Sequence, residues 1–172
     1  MKNVINFCSM LAICTLLGFS TTAQAQQKIG HIDSEAVIAN MPEYISAKSE
    51  LETYSKTLEK ELEETQKTVQ TYYTEVMQKV QKGVLTPKEQ KEEEANLQQK
   101  QQALQKQASE ADQKIAEKEG ELTKPIFDKF NAALEKAAKA NDFSYIIDIK
   151  IAIYSSGGID ATSLVKAELG IE

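Results

Sequence analysis

An apolar stripe of helical period runs out from residue 44, breaks once and returns to residue 140, and this feature constrains the chain more than any other. The outbound leg reads Ala47, Leu51, Tyr54, Leu58, Leu62, Thr65, Val69, Tyr72, Val76 and Val80, nine steps over 33 residues. The spacing of 3.67 residues per step is helical and closer to an eleven-residue repeat than to strict heptads. The break is Gly83-Val84-Leu85-Thr86-Pro87. Gly83 can end one helix there, and Thr86 can cap the next with Pro87 at its first position and Glu89 completing a capping box.

Two helices of equal rise that fold back on each other must pair residues whose numbers have a constant sum, because one climbs as the other descends. Tyr72 with Leu97, Thr65 with Leu104, Leu58 with Ala111, Tyr54 with Ile115 and Ala47 with Leu122 all sum to 169. That places the fold point between Val84 and Leu85, inside the turn already located from its capping residues. Each leg of roughly 38 residues spans about 57 Å. A projection of that length does not fit inside an ordinary globular domain, so the expected shape is an antiparallel coiled-coil arm.

Residues 1–25 read as a secretory signal: Lys2, an apolar run from Val4 to Phe19, and Thr21-Thr22-Ala23-Gln24-Ala25 as a small-residue cleavage site. Cys14 faintly suggests a lipoprotein site, but bulky Ile13 beside it argues against lipidation. No other segment supplies the roughly 18 to 20 apolar residues that span a bilayer. The mature chain is therefore expected to be exported, without stable membrane insertion. Cys8 and Cys14, the two cysteines, leave with the signal, so no disulfide, thiolate metal ligand or nucleophile remains.

All 20 basic residues are Lys, and the formal charge of −6 becomes −7 once Lys2 is removed. An acidic chain without arginine is a poor nucleic-acid ligand, since that binding relies on phosphate neutralisation and guanidinium contacts.

The segments flanking the arm read as a small α+β base built from both chain ends. Lys28 to Asp33 alternates as a strand with Ile29 and Ile32 apolar; Ser34 begins a brief helix that Pro42 closes. On the returning helix Pro125 removes a backbone donor, and a kink is expected near Gly120 to Pro125. Beyond it Ile126, Phe127, Phe130, Ala133, Leu134 and Ala137 make a richer stripe, ended by Asn141-Asp142. Phe143 to Asp148 and Ile151 to Tyr154 read as the two strands of a β-hairpin. Ser155-Ser156-Gly157-Gly158 is a turn, and Asp160 or Thr162 caps a final helix through Leu164, Val165 and Leu169. A base of some 65 to 70 residues without staples is marginal alone. Exposed strand edges are therefore expected to pair between subunits, an arrangement that suits dimers as well as trimers.

Taken in order, Lys28-Ile29-Gly30-His31-Ile32-Asp33, the charged hairpin, Pro125-Ile126-Phe127-Asp128-Lys129-Phe130, Phe143-Ser144-Tyr145-Ile146-Ile147-Asp148, Ile153-Tyr154-Ser155 and Ile159-Asp160-Ala161-Thr162 resemble the Skp/OmpH family of periplasmic chaperones. The likeness covers nearly the whole mature chain. It implies a long two-helix tentacle, residues 44–124, projecting from a small β-rich trimerisation body, residues 26–43 and 125–172. It further implies a homotrimer in the periplasm whose arms enclose unfolded outer-membrane proteins and hold them from aggregation without ATP or any cofactor. The best-known members are strongly basic, and this chain is acidic. That departure weakens any expectation of lipopolysaccharide binding.

Tyr72, Tyr73, Val76 and Met77 make the outer arm more apolar than a two-helix seam requires, and they are the candidate client contacts. Tyr72 and Val76 fall on the seam and Tyr73 and Met77 beside it, so packing against the partner helix competes with that role. Ile29, Ile32, Phe127, Phe130, Ile146, Ile147, Ile151 and Ile153 are the candidate oligomerisation residues of the body. Lys79, Lys82, Lys88 and Lys91 concentrate positive charge at the arm's tip, either as a solvated helix end or as a membrane or client contact. His31, the only histidine, has no Cys or second His with which to build a metal site. Asp148 and Asp160 fit turn and cap roles better than a catalytic pair, and Gly157-Gly158 lacks the Lys and helix of a nucleotide loop. No enzymatic activity and no metal is expected. The competing reading is a structural or adaptor coiled coil of the cell envelope that grips one folded partner.

Overall fold

A computed structural model describes residues 27–155 and 157–171. The proposed signal segment and both cysteines lie outside the described residues. In chain order the elements among the described residues are β1 (Ile29–Ile32), α1 (Ser34–Ala39), α2 (Pro42–Gln81), α3 (Pro87–Ala140), β2 (Tyr145–Asp148), β3 (Ile159–Asp160) and α4 (Thr162–Leu169), with a 3₁₀ turn at Ile149–Ile151. The long helices α2 and α3 form the arm, and their inner halves share a core with α1, α4 and the strands.

The arm turns where its capping residues demand. Gly83 takes φ +65°, a left-handed conformation that glycine adopts without steric cost. Its N–H bonds the Val80 carbonyl at 3.0 Å and the Val84 N–H bonds that of Lys79 at 3.2 Å, which together make a Schellman stop. Three residues after Gly83, Thr86 accepts from the Glu89 amide while the Glu89 carboxylate receives the Thr86 amide at 2.7 Å, the expected capping box. Along the seam Ala47, Leu58, Val76 and Ala111 are buried, and Leu51, Tyr54, Leu62, Val69, Tyr72, Leu97, Leu104, Ile115 and Leu122 are half-buried. Half-burial is what two helices alone can give, because each seam residue has a partner on one side only.

Helix α3 continues through Pro125 as a single hydrogen-bonded run to Ala140. The missing proline donor would have met the carbonyl of Glu121, an exposed residue, so water can satisfy it and the helix need not stop.

The sheet departs from the expected hairpin. Its strands lie in the order β2-β1-β3 and all run parallel, with Ile29 opposite Tyr145, Ile32 opposite Asp148 and His31 opposite Asp160. Ile151 to Tyr154 belongs to no strand. A tight hairpin needs a two-residue turn with positive φ, and Ile149-Lys150 has no residue suited to it. Instead the Asp148 carboxylate accepts the Lys150 amide at 2.9 Å and turns the chain out of the strand at once. The direction of β2 follows from its route, since the entire arm serves as the crossover between β1 and β2. Asp160 has two roles: it ends β3, and its carboxylate accepts the Thr162 amide at 2.8 Å to open α4, whose own cap residue Ala161 offers no side chain for the purpose.

Gly30 and Ile32 point to one face of β1, where Ile32, Val37, Met41, Ile126, Phe130, Ala133, Ala137 and Val165 form the core. Gly30 is required there. A Cβ at that position would lie 2.7 Å from the Phe143 ring, which packs across it. Lys28 secures the same corner, donating to the Asn141 carbonyl at 2.6 Å with its ammonium 4.6 Å from the Phe143 ring centre.

Candidate functional site

The arm separates the four residues singled out along it into two kinds. Val76 is 5 % exposed and Tyr72 is half-buried, so both belong to the seam. Tyr73 and Met77 are 42 % and 39 % exposed and leave apolar surface open to solvent. Tyr72 is further engaged: its hydroxyl donates to the Glu93 carboxylate, and Lys100 lies 4.9 Å from its ring centre. The Glu93 carboxylate, favouring the protonated phenol as its donor, holds Tyr72 above the ordinary tyrosine range.

Polar contacts between the helices stitch the hairpin. Lys118 meets Glu50 at 2.6 Å, Lys79 meets Glu93 at 3.7 Å, and Lys129 meets Glu43. The Glu50 carboxylate holds the Lys118 ammonium above the usual lysine range, and Lys129 holds Glu43 below the usual carboxylate range. Exposed pairs of this kind contribute little stability each, yet they fix which faces of the two helices meet. At the tip, Lys79 and Lys88 are partnered by Glu93 and Glu92, while Val84 stands exposed between the two helices. The positive charge foreseen there is therefore partly neutralised.

In the body the candidate oligomerisation residues also divide. Ile32 and Phe130 lie at 2 % and 5 % exposure within the protomer's own core, and Ile146 packs against that core. Ile29, Phe127, Ile147, Ile151 and Ile153 are exposed, and Ile153 is fully so. Tyr145, Tyr154 and Ile159, absent from the sequence-derived set, join them. Strand register explains the pattern: Ile29, His31, Tyr145 and Ile147 alternate away from Gly30, Ile32 and Ile146, onto the face that the helices do not cover. Alternation within Phe143 to Asp148 was the signal that could have added Tyr145. Eight of the twelve exposed large apolar side chains among the described residues belong to this body.

Beside the bare face, Lys150 bridges β2 to α1, pairing with Glu35 and lying 3.8 Å from Asp33. The Ser34 hydroxyl, followed by the Lys150 amide, holds Asp148 below the usual carboxylate range. Donors from Thr162 do the same for Asp160. Both aspartates are thus engaged with backbone and hydroxyl donors in local turns. His31 faces Asp160 across the strands, and its Nδ1 is enclosed with no hydrogen-bond partner among the described residues. No group of three or more His, Cys, Asp or Glu placed to hold a metal occurs among the described residues. No helix among them is long and apolar enough to cross a membrane.

A sequence model of the family described as outer membrane protein (OmpH-like) matches residues 28–169. The crystal structure of an OmpH-like protein from Caulobacter crescentus CB15, one assigned provisionally as an outer membrane chaperone, superposes with a TM-score of 0.71 at 16 % identity. The match covers 84 % of this chain and 85 % of that one, and it establishes a shared fold. No curated protein matches the chain significantly.

Proposed function

The chain belongs to the OmpH-like outer membrane protein family, and from that membership we propose that it is an ATP-independent holdase of the periplasm, an oligomer whose arms surround unfolded outer-membrane proteins. The family and the shared fold support a chaperone-type role at the coarser level, and the family is in general periplasmic and non-enzymatic. In this reading residues 1–25 direct export and are removed, residues 26–43 and 125–172 form the trimerisation body, and residues 44–124 form the arm.

The observation that carries the proposal is the distribution of exposed apolar surface. Parallel sheets are ordinarily covered on both faces, and this one presents Ile29, Tyr145 and Ile147 on a face its own helices leave open. Further copies of the chain supply the cover, with the Ile151 to Tyr154 segment reaching across to a neighbour. The arms then project together from the shared base. An unfolded barrel protein exposes alternating apolar strands that aggregate readily. Three arms with modest apolar patches hold such a chain through many weak contacts, each of which raises the effective concentration of the next. Release needs no fuel, because every contact is individually labile.

Aggregation of several unrelated barrel proteins, diluted from denaturant with near-stoichiometric mature protein, tests this reading. Suppression of light scattering for all of them is the expected result. Indifference to unfolded barrels, with capture of one folded envelope protein, would establish the adaptor reading in its place.

A further inference from the structure

The two broad faces of the arm differ in charge. Every contact described above between the charged groups of α2 and α3 lies toward one of them. The groove on that side is lined near the base by Ser46, Ser49, Glu50, Thr53, Thr57 and Lys118. Farther out, the same side of α2 carries Glu64, Lys67, Thr68, Thr71 and Glu75. The opposite groove near the base is lined by Tyr44, Lys48, Leu51 and Thr123, among others.

At the eleven-residue period of the arm, side chains on one face recur eleven positions apart. From Tyr44 the series runs through Ser55 and Gln66 to Met77; from Leu51, through Leu62 to Tyr73; from Lys48, through Glu59 and Gln70 to Gln81. On the returning helix Thr123 leads through Asp112 to Gln101 and Gln90. The inner half of this face carries charge at Lys48, Glu59, Asp112 and Glu119. In the same series the outer half carries none; the charges that flank it are Glu63 and Lys67, three residues before Gln66 and Gln70, and Glu94, four after Gln90. There Gln66 and Gln70, seven and three residues before Tyr73, share the face with the exposed Tyr73 and Met77, and Gln101 lies on the same face of the returning helix.

We propose that the outer half of this glutamine-lined face, and not the ion-paired face behind it, is where an unfolded polypeptide lies along the arm. The proposal rests on the holdase reading and names its contact surface. Its occupant is an extended, uncharged stretch of backbone with alternating apolar side chains. A carboxylate or ammonium must lose water before such a segment can pack against it, at a cost that a neutral amide largely avoids. Glutamine carries both donor and acceptor and can bond the N–H and C=O groups that an unfolded chain displays. Tyr73 and Met77 give the apolar side chains an adaptable surface between those amides.

A photo-crosslinking residue placed at Gln101, and in a second protein at Thr71, reports the face directly when each assembled protein is loaded with an unfolded outer-membrane barrel protein. Several-fold more crosslinking from position 101 is expected. Equal yields, or more from position 71, would overturn the assignment. Paired charges provide an independent measure: Gln70→Lys with Gln101→Lys should weaken client retention several-fold, and Thr68→Lys with Thr71→Lys should leave it unchanged. The reverse order would contradict the proposal. If the unsubstituted protein retains no client, the holdase reading fails and this assignment with it. A client retained with even crosslinking defeats the assignment alone.

Discussion

Lys118 donates to the Glu50 carboxylate across the hairpin at 2.6 Å, and the two residue numbers sum to 168, one below the sum that aligns the apolar seam. Toward the base Glu43 and Lys129 sum to 172, and near the tip Lys79 and Glu93 sum to 172 as well. One register therefore holds the arm from end to end, within the width of a single helical turn.

That register makes Leu58, buried opposite Ala111, the residue whose loss the arm should feel most. Leu58→Ala should cost about 2 kcal/mol, the lower end of the range for buried leucine because a two-helix seam can partly collapse. Thermal unfolding followed by far-ultraviolet circular dichroism measures it. A change below about 0.5 kcal/mol, the size of an ordinary surface substitution, would contradict the pairing.

The turn should be sensitive at two positions for different reasons. Gly83→Ala forces a side chain into the left-handed region, and Thr86→Ala removes the hydroxyl that caps α3. Each should cost about 1 kcal/mol. The loss should appear as faster amide hydrogen exchange in residues flanking the turn, with exchange in the body unchanged. Uniform acceleration throughout the chain would mean that the arm does not open separately.

The arm was legible from the sequence because its evidence is redundant: period, capping residues and constant index sum are independent signs of one hairpin. The sheet was legible only in part. Ile151 to Tyr154 has strand-like composition yet lies exposed outside the sheet, since β-propensity reports fitness for a half-buried surface, not membership of a strand. The two residues of β3 are too few to alternate visibly, and Asp160 showed its capping role more plainly than its pairing with His31. Among the candidate contacts, spacing alone separated Tyr72 and Val76 on the seam from Tyr73 and Met77 beside it. The uncovered face of the sheet could not be read before the strand register was known.

Gly30→Ala tests the close approach of Phe143 to the central strand. The added methyl must displace the ring, at a cost of about 1 to 3 kcal/mol. Because Lys28 and Phe143 lie beside the strand that bears the open face, a reduced oligomer mass should accompany the loss of stability. Unchanged stability would show that the ring yields freely.

Acid should weaken the body through Asp148, whose carboxylate is held below its ordinary range by the Ser34 hydroxyl and the Lys150 amide. A depressed folded-state value contributes stability that is complete above the unfolded value, about pH 4, and is lost as pH falls through the lower folded value. The melting-temperature difference between the protein and Asp148→Asn should therefore be full at neutral pH and shrink below about pH 4. A difference constant with pH would remove Asp148 from this role.

Tyr73 and Met77 should matter to clients and not to assembly. Replacing both with Gln should reduce suppression of barrel-protein aggregation while oligomer mass and helix content stay unchanged. Val76→Ala, made within the seam, should lower arm stability first. Undiminished suppression by the double variant would remove the two residues from the contact surface.

The central claim is that the chain assembles through its body and that the assembly holds unfolded barrel proteins. Multi-angle light scattering of residues 26–172, alone and after addition of an unfolded outer-membrane protein, tests it most directly. The expected result is a mass of three chains that rises by the mass of a captured, soluble client. A single-chain mass that the client leaves unchanged would contradict both the assembly and the function.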